Sequence, residues 1–301
     1  VHDDERTPNG DYYWTIERYH KKISDIARVL SEIGHGTTGS PPAIIGLCEV
    51  ENYGVLKDLV NQPPLDAHGY GIIHFDSPDD RGIDVALLYK KTAFIPSSFK
   101  SLRLLLFDLD GHRDYTRDQL VVSGFLDGEE LHLTVNHWPS RSGGETKSKP
   151  KRIKAAQLGK RIIDSIKTID PNAKIIAMGD FNDDPRDESI KKILKATGKK
   201  EQIDSLSLYN SMAKLYKKGA GTLAYRDQWN LFDQIILTPT LLNEDKTTYS
   251  FWKSGIYNPK YLKNSKGRYK GYPFRTYVGT AYQGGYADHF PVYVYLVRQA
   301  H

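Results

Sequence analysis

The chain has 301 residues, of which 39% are hydrophobic and 26% charged, and its formal net charge is +5 at pH 7. This length fits two domains or one large α/β domain, and because no linker is visible we expect a single domain over residues 1–301. No apolar run approaches the roughly 18 residues of a membrane helix, so we expect no transmembrane segment, and the single Cys48 excludes an intrachain disulfide.

Helical and strand patterns alternate along the chain. Apolar residues at helical spacing predict helices over Glu17–Ile33, Val55–Val60 and Lys151–Ile169. Apolar runs predict strands over Ala43–Cys48, Gly71–Phe75, Ile83–Tyr89, Leu120–Leu126, Leu131–His137, Ala173–Met178, Leu231–Leu237 and Pro291–Val297. The fourth and fifth strands are expected to form a hairpin around Asp127-Gly128. Hairpins mixed with crossover helices predict a mixed sheet, or two packed sheets with helices outside.

Acid, amide and imidazole side chains recur at the ends of these strands. The positions are Glu49, His137, Asp180 and Asn182, with an Asp288-His289 pair just before the last strand. A lone glutamate or histidine in such a place is usually structural, but their recurrence favours one shared site. Hard oxygen ligands suit Mg²⁺ or Mn²⁺, with Ca²⁺ as a further option, and the lack of Cys–His clusters argues against structural zinc.

The segment Tyr249–Tyr277, here called the basic aromatic segment, carries seven basic residues, no acidic residue and nine aromatic residues. Lysine and arginine pair with phosphates, while aromatic rings stack on bases or sugars, so the composition suits an anionic ligand. We expect a loop in which Lys263, Lys266, Arg268 and Lys270 contact substrate. The alternative is a solvated surface loop whose aromatic rings pack beneath it.

Six strings occur in order along the chain. They are IIGLCEVEN (44–52), RGIDVALLY (81–89), LTVNHWPSRSGG (133–144), AMGDFNDDP (177–185), FDQIILTP (232–239) and YADHFPVYVYL (286–296). Together they resemble the endonuclease/exonuclease/phosphatase superfamily, which includes deoxyribonuclease I, apurinic endonucleases, inositol-polyphosphate 5-phosphatases and bacterial sphingomyelinases. The resemblance implies an α/β fold, specifically a four-layer α/β/β/α sandwich of two packed mixed sheets with helices outside, and metal-dependent phosphoester hydrolysis.

The resemblance implies a role for each matching acid and amide. Glu49 resembles the metal-binding glutamate of the family, although the chain has Leu-Cys-Glu where the family has Leu-Gln-Glu. Asp288 resembles an aspartate assigned to metal binding or transition-state support. Asp180 resembles the aspartate that handles the attacking water, and Asn182 the asparagine that steadies the phosphate.

The two histidines are expected to complete the catalytic set. His289 resembles the catalytic histidine and Asp233 the buried aspartate that orients it, an arrangement that favours the imidazolium and raises the histidine pKa. His137 matches an additional histidine of deoxyribonuclease I and the sphingomyelinases, and is expected to serve as a second acid. Asp84 on the adjacent strand is the candidate to orient His137.

Arg117, within Thr116-Arg117-Asp118, is a candidate to bind phosphate through two guanidinium nitrogens. A surface ion pair between Arg117 and either Asp118 or Asp114 is the alternative. Phosphoester hydrolysis needs a cation for the non-bridging oxygens, a base for water and an acid for the leaving alkoxide, and the residues above can supply these functions.

One feature of the superfamily is absent, because no apolar strand bearing an asparagine precedes Tyr12. Asn9 lies in a predicted turn and Asn136 in a later strand, so neither replaces that asparagine. The chain starts at Val1 rather than methionine, and we expect the missing strand to lie upstream; the alternative is an incomplete site. Such processing makes export one expectation, although the compartment itself is unreadable.

The sequence therefore predicts a divalent-metal-dependent phosphodiesterase, most simply a nuclease, in which an activated water attacks in line. A phosphomonoesterase or an inositol or lipid phosphate hydrolase is the first alternative, because one core attacks several phosphoesters and loops set specificity. A non-catalytic module that binds a phosphate ligand is the second. The expected partner is a phosphoester substrate, with nucleic acid among the candidates.

Overall fold

The computed structural model describes residues 4–108 and 110–299. Its helices are α1 (Ile16–Glu32), α2 (His35–Thr38), α3 (Tyr53–Val60), α4 (Glu145–Ile169) and α5 (Ala213–Lys217). Its strands are β1 (Ile44–Val50), β2 (Tyr70–His74), β3 (Asp84–Lys90), β4 (Phe94–Leu102), β5 (Leu106–Phe107), β6 (Arg113–Asp114), β7 (Gln119–Leu126), β8 (Glu129–His137), β9 (Ile175–Asp180), β10 (Ala196–Thr197), β11 (Leu208–Asn210), β12 (Leu223–Tyr225), β13 (Gln228–Asn230), β14 (Asp233–Leu237), β15 (Ser250–Ile256), β16 (Tyr277–Val278), β17 (Ala281–Tyr282) and β18 (Val292–Val297).

The largest sheet has seven strands in the order β10-β11-β14-β9-β8-β7-β4. β7 and β8 form the expected hairpin, and the positive φ angles of Asp127 (45°) and Gly128 (86°) suit a tight two-residue turn between them. α4 connects β8 to the parallel strand β9, and β14 then pairs antiparallel with β9. The chemistry-bearing ends of β8 and β9 therefore lie at one edge of this sheet.

Two smaller sheets face the inner side of the seven-stranded sheet. One has the order β1-β3-β2, and the other is the antiparallel pair β15-β18. The apolar cluster between the layers joins Leu133 and Ile176 of the large sheet to Leu87 of β3, with Val294 of β18 packed against it. Removal of this apolar surface from water, worth roughly 25 cal/mol per Å², holds the layers together.

Helices cover both outer faces. α1 begins at Thr15, whose side chain accepts a hydrogen bond from the Arg18 backbone N–H, and its buried residues Ile23 and Ala27 pack in one cluster with Ile45 of β1. α4 covers the opposite side, where its Ala155 and Ile163 meet outer-face residues of the seven-stranded sheet. The layers thus run α/β/β/α, which confirms the predicted fold class.

The predicted helices and strands are all present with shifted ends, and the main differences lie in three places. α4 begins at Glu145 rather than Lys151, so Pro150 lies inside the helix. The basic aromatic segment is not a loop throughout, because Ser250–Ile256 forms β15 and pairs with β18. β4 was not predicted, because its solvent-facing residues leave no apolar run.

Among the described residues, the helices are all too short or too polar to traverse a bilayer. This agrees with the absence of a long apolar run in the sequence.

Candidate active site

Three neighbouring strands bring His137, Asp180 and Asp233 side by side at one edge of the seven-stranded sheet. His137 ends β8 and pairs with Asp180 at the end of β9, while Asp233 at the start of β14 pairs with Asp180 from the other side. The glycine at position 179 is required here, since its φ is +132° and a Cβ would lie 2.0 Å from the Asn136 carbonyl oxygen. The register of these three strands therefore places His137, Asp180 and Asp233 next to one another.

His289 joins this row from the loop that leads into β18. Its Nδ1 lies 2.8 Å from Oδ2 of Asp233 and 4.0 Å from Oδ2 of Asp180. Burial favours the neutral ring, but the charge and hydrogen bond of Asp233, with help from Asp180, raise the pKa of His289 well above its ordinary value. The arrangement stabilises an imidazolium that donates its Nδ1 proton to Asp233.

Asp180 is the central carboxyl group. Burial raises its pKa to about 7, with the charge of Asp233 adding to the rise and His289 opposing it. The backbone N–H of Asn182 donates to Oδ1 of Asp180 at 2.8 Å, and Nδ2 of Asn182 lies 3.3 Å from Oδ2. Nδ2 also donates to the Trp138 carbonyl oxygen at 2.9 Å, so Asn182 fixes the turn that holds Asp180. The phosphate contact expected of Asn182 stays a prediction.

His137 is in the opposite protonation state from His289. Burial, reinforced by repulsion from Arg117, Arg81 and His289, lowers the pKa of His137 well below its ordinary value. Its Nε2 lies 3.7 Å from Oδ2 of Asp180, and its buried Nδ1 has no hydrogen-bond partner in the part of the chain that the structure describes. A ring held neutral in this way carries no extra proton to donate, and the second-acid role of His137 stays a prediction.

The expectation that Asp84 orients His137 is wrong. Oδ2 of Asp84 lies 2.8 Å from Nε2 of His74, and Oδ1 accepts hydrogen bonds from the backbone N–H and the hydroxyl of Ser77. Asp84 begins β3, which pairs with β1 and β2 and belongs to a different sheet from β8. Its carboxylate is therefore committed to the β2–β3 connection.

Glu49 lies at a bulge in β1, where the register with β3 shifts and its own φ is 59°. Its side chain is 59% exposed, with one oxygen 3.8 Å from a terminal nitrogen of Arg81. Its negative charge contributes to the raised pKa of Asp180, and the two residues line the same cavity. The bulge turns a side chain of an otherwise apolar strand toward the site.

Asp288 is exposed beside His289 and its charge supports the imidazolium. In residues 4–108 and 110–299, the site groups close enough to share one metal ion are Asp180, Asp233 and His289, whose ligand atoms lie within 4.8 Å of one another. Glu49 and Asp288, the two predicted metal ligands, border this set rather than belong to it. Their metal roles stay predictions.

The donor set fits a hard divalent cation. Asp180, Glu49 and Asp288 would hold it through carboxylate oxygens, the ligands that Mg²⁺ and Mn²⁺ prefer. The nearby Cys48 thiol is unsuitable as a ligand, because burial raises its pKa and its Sγ is engaged with the Asn136 carbonyl oxygen at 3.3 Å. The residues therefore agree with a metal-dependent chemistry without thiolate.

Two basic residues near the site were missed by the sequence interpretation. Lys22 of α1 donates to Thr276 Oγ1 and to the Tyr286 carbonyl, and burial lowers its pKa to about 8 against the opposing charges of Asp288 and Glu49. Arg81 lies between Glu49 and Asp79. Nothing local in the sequence separates these residues from ordinary surface cations.

Arg117 does not occupy either predicted position. One terminal nitrogen donates to Asp79 at 2.8 Å and the other to the Trp138 carbonyl oxygen at 2.8 Å, in a buried setting. A bidentate phosphate contact would need these two nitrogens, and the alternative partners Asp118 and Asp114 are replaced by Asp79. Arg117 instead lines a polar cleft of about 210 Å³ together with Arg81, Asp79, Thr116, Ser140 and Lys151.

The basic aromatic segment contributes a wall beside His289. Trp229 of β13 stacks on Phe290 at 6.2 Å between ring centroids and meets the edge of Tyr272 at 5.5 Å, and Lys263 Nζ lies 5.9 Å from the Phe290 ring centre. Of the four predicted substrate contacts, Lys263 is half-buried at this wall, whereas Lys266, Arg268 and Lys270 are exposed beyond it. The nearest recorded partner of Arg268 is Asp227, at 3.7 Å.

Comparisons with known proteins agree with this fold and site. Three solved structures resemble the chain across most of its length. D. rerio TDP2 complexed with a single-strand DNA product is 16% identical, with 91% of this chain and 92% of that chain covered and a TM-score of 0.57. A Bacteroides thetaiotaomicron mannosyl-6-phosphatase is 18% identical, with 93% of this chain and 91% of that chain covered and a TM-score of 0.57. The human nocturnin catalytic domain with bound sulfate is 18% identical, with 79% of this chain and 78% of that chain covered and a TM-score of 0.54. No curated protein sequence matches the chain.

The fold and the carboxylate–histidine cluster define a metal-dependent hydrolase of phosphoester bonds. A family profile described as "Endonuclease/Exonuclease/phosphatase family" matches residues 1–298, and the chain belongs to that family. The predicted superfamily is thus confirmed.

Proposed function

We propose that this protein is a Mg²⁺- or Mn²⁺-dependent phosphodiesterase that cleaves nucleic acid strands by in-line attack of water. The observation that carries this proposal is the pair of histidines beside Asp180, with His137 Nε2 at 3.7 Å and His289 Nδ1 at 4.0 Å from its Oδ2. His289 is cationic beside Asp233, and His137 is neutral beside Arg117 and Arg81. Acid and base roles require two titratable groups with different pKa values, and the surroundings of these two histidines move their pKa values in opposite directions.

The side chains divide the work by their charge. The imidazolium of His289 donates a hydrogen bond to the phosphate through Nε2 and passes that proton to the leaving alkoxide, while Asp233 holds the ring in place through Nδ1. Asp180, with a carboxyl pKa of about 7, accepts the proton of the attacking water, and neutral His137 assists from 3.7 Å. A divalent cation held by the carboxylates would stabilise negative charge on the phosphate.

Nucleic acid is favoured by the surface beside His289. Lys263 and the exposed Lys266, Arg268 and Lys270 provide positive charge. Trp229 and Tyr272, which pack beside the buried Phe290, offer aromatic surface for a base or sugar. A structural relative, TDP2, was solved with a single-strand DNA product. Such a surface binds a strand mostly through phosphates and stacking rather than base identity.

A sugar phosphomonoesterase is the second candidate. The cleft of about 210 Å³ beside Arg117 combines Asp79, Asp80 and Asp114 with Arg81 and Lys151, so its charges balance and it suits hydroxyl groups better than a polyanion. A mannosyl-6-phosphatase is among the structural relatives. Inositol and lipid phosphates belong to the same group of alternatives.

One panel of substrates separates these candidates. Single-stranded and plasmid DNA, bis-p-nitrophenyl phosphate, mannose 6-phosphate and an inositol polyphosphate are assayed side by side with Mn²⁺. We expect the largest kcat/KM for DNA. Preference for mannose 6-phosphate or the inositol compound would replace the nuclease by a monoesterase, and inactivity toward the whole panel would favour the non-catalytic module.

EDTA is expected to abolish hydrolysis and added Mg²⁺ or Mn²⁺ to restore it. The reason is that Glu49, Asp180 and Asp288 are hard oxygen donors, and repulsion between the phosphate anion and the attacking oxygen needs a cation to offset it. The measurement is the initial rate on bis-p-nitrophenyl phosphate before and after addition of each ion. Full activity in EDTA would contradict the metal requirement.

Replacement of Lys263, Lys266, Arg268 and Lys270 by alanine is expected to raise KM for DNA several-fold and to flatten its salt dependence. Fewer phosphate contacts release fewer counterions, so log K depends less steeply on log salt. Hydrolysis of bis-p-nitrophenyl phosphate should stay near wild type. A matched variant that removes four exposed lysines elsewhere, Lys91, Lys100, Lys199 and Lys214, serves as the control. Equal losses on both substrates would assign the segment to the fold instead.

A further inference from the structure

Lys22, near the start of α1, reaches another segment of the chain rather than extending into solvent. The helix around it buries Ile23 and Ala27 in the core, and Lys22 itself is half-buried. Its ammonium donates hydrogen bonds to Oγ1 of Thr276 at 2.8 Å and to the carbonyl oxygen of Tyr286. Removal of a lysine ammonium from water costs free energy unless the group is hydrogen-bonded, so these two bonds fix where the side chain ends.

The two partners of Lys22 belong to one hairpin, residues 274–286, which contains β16 and β17. At the base of the hairpin, the backbone N–H of Tyr286 donates to the Phe274 carbonyl oxygen at 2.7 Å. The two arms are in close contact here, because a Cβ at Gly285 would lie 2.2 Å from that same carbonyl oxygen. Lys22 therefore binds the hairpin at its base, on the arm that returns to the active site.

Residues 287–289, here called the His289 turn, follow the hairpin directly. The turn is not part of the seven-stranded sheet, so the position of His289 depends on how the turn is held at its two ends. At the far end, the backbone N–H of the buried Phe290 donates to the Thr222 carbonyl oxygen at 2.8 Å. At the near end, the carbonyl oxygen of Tyr286 accepts the hydrogen bond from the lysine. The lysine is thus an anchor for the turn.

The ammonium of Lys22 also lies close enough to site carboxylates for their charges to act on it. Burial lowers its pKa to about 8, and the charges of Asp288, Asp25 and Glu49 oppose this change. Lys22 can therefore affect the site in two ways. As a positive charge it repels a divalent cation, whereas as an anchor of the turn it helps to present Asp288 to that cation. The two effects have opposite signs.

We propose that Lys22 is a positioning residue that holds the His289 turn through the Tyr286 carbonyl oxygen. The fixed turn presents His289 to the phosphate and Asp288 to the cation, so the proposal rests on the roles proposed above for these two residues. Lys22 acts through the turn rather than by contact with the substrate. Without its ammonium the Tyr286 carbonyl loses this donor, and the turn gains freedom at that end. A displacement of about 1 Å at the reacting groups costs on the order of 10²-fold in rate.

Lys22→Met is expected to lower kcat on bis-p-nitrophenyl phosphate by about 10²-fold and to change KM by less than about threefold. Methionine fills nearly the same space as lysine but has no donor for the carbonyl oxygen. Lys22→Arg keeps a charged donor and should retain kcat within about tenfold of the wild type. The measurement is steady-state kinetics at saturating Mn²⁺. Equal losses in the two variants, or a loss confined to KM, would overturn the proposal.

Two control variants change the same region and leave the lysine–carbonyl hydrogen bond in place. Arg18 lies one helical turn before Lys22, and its guanidinium carbon is 4.2 Å from the ring centroid of Tyr282, so it holds an arm of the same hairpin. Lys21 is an exposed neighbouring lysine. Arg18→Met and Lys21→Met should each keep kcat within about threefold, because the turn stays anchored. If Arg18→Met loses as much as Lys22→Met, the loss belongs to the hairpin as a whole and the proposal is overturned.

Binding of Mn²⁺ separates the two effects of Lys22 without any hydrolysis. Loss of a positive charge alone would tighten binding of the cation, since Coulomb repulsion is removed. A freed turn would instead present Asp288 poorly. We expect titration calorimetry to give a Kd for Mn²⁺ that is several-fold higher in Lys22→Met than in the wild type. Equal or tighter binding by Lys22→Met would overturn the proposal.

Amide hydrogen exchange tests the turn itself and depends on neither metal nor substrate. We expect residues 286–290 to exchange at least about tenfold faster in Lys22→Met than in the wild type, while residues 16–32 and 292–297 stay unchanged. Equal acceleration of all three segments, or unchanged exchange at residues 286–290, would overturn the proposal. If the protein hydrolyses no phosphodiester while exchange follows this expectation, the proposed function is wrong and the positioning of the turn by Lys22 stands.

Discussion

Asp180→Asn is expected to lower kcat on DNA and on bis-p-nitrophenyl phosphate by about 10³-fold, within the range known for removal of a general base. Asp180 lies within 4.0 Å of both histidines, and the amide that replaces it neither accepts the proton of water nor carries charge for a cation. The measurement is steady-state kinetics with saturating Mn²⁺. A loss below tenfold would remove Asp180 from the proposed role.

The same variant should be more stable than the wild type in EDTA above pH 7. Burial raises the carboxyl pKa of Asp180 to about 7 in the folded state, above its ordinary value of about 3.8. The folded state therefore holds a proton that the unfolded state has lost between about pH 4 and pH 7, so this group lowers stability as pH rises through that window. Thermal unfolding at pH 8 tests the direction of this change in stability. A higher Tm together with a lower kcat in Asp180→Asn would indicate that Asp180 serves function at the expense of stability.

A matched control is available at Asp118. Burial also raises the pKa of this carboxyl group, whose side chain accepts a hydrogen bond from Ser101 and lies away from the histidines. Asp118→Asn should change stability in a similar way and leave kcat within about twofold. If both variants lose activity equally, the effect of Asp180→Asn belongs to folding rather than to catalysis.

The sequence was sufficient for the residues that strands deliver directly. Asp180 follows an apolar run, and His137 ends another, so the parallel pairing of β8 and β9 sets them side by side without any further information. Asp233 could be placed because β14 begins where its apolar run begins, next to β9. Local pattern and sheet topology agree at these positions.

Contacts between sheets could not be predicted in the same way. Asp84 was assigned to His137 from an assumed register, but β3 lies in the β1-β3-β2 sheet and its first residue turns toward His74. Arg117 was expected to bind phosphate, or alternatively to form a surface ion pair, yet Asp79, 38 residues away in the chain, takes its guanidinium into a buried pair. Such pairings depend on packing between the sheets. No periodic pattern in the sequence predicts that packing.

Protonation states were also beyond the sequence. Both histidines looked like acids, and their separation into a cation and a neutral ring follows from which charges lie near each buried ring. Asp233 stands at 2.8 Å from His289, whereas Arg117 and Arg81 repel a proton on His137. Burial lowers the pKa of both histidines, so the neighbouring charges determine why one pKa is raised and the other lowered.

His289→Ala and Asp233→Asn are each expected to lower kcat by about 10²-fold or more, and the double variant should lose little beyond the worse single one. The reason is that Asp233 acts through His289, by holding its ring and its charge across the 2.8 Å hydrogen bond. Steady-state kinetics on bis-p-nitrophenyl phosphate gives the three ratios. Losses that multiply to about 10⁴-fold in the double variant would show that the two residues act separately.

The pH profile of the residual activity distinguishes loss of the positive charge on His289 from loss of its ring. Without the Asp233 carboxylate the pKa of His289 falls, so the imidazolium persists only at lower pH, and the residual activity of Asp233→Asn should have an optimum shifted toward acid. His289→Ala has no such group and should show no shift. His132→Ala, which removes a half-buried histidine bonded to Ser123 away from the site, is the control and should keep both rate and profile. An unshifted optimum in Asp233→Asn would mean that Asp233 positions the ring without setting its charge. The phosphate would then need another cationic partner, for which Lys22, whose pKa burial lowers to about 8, is a candidate.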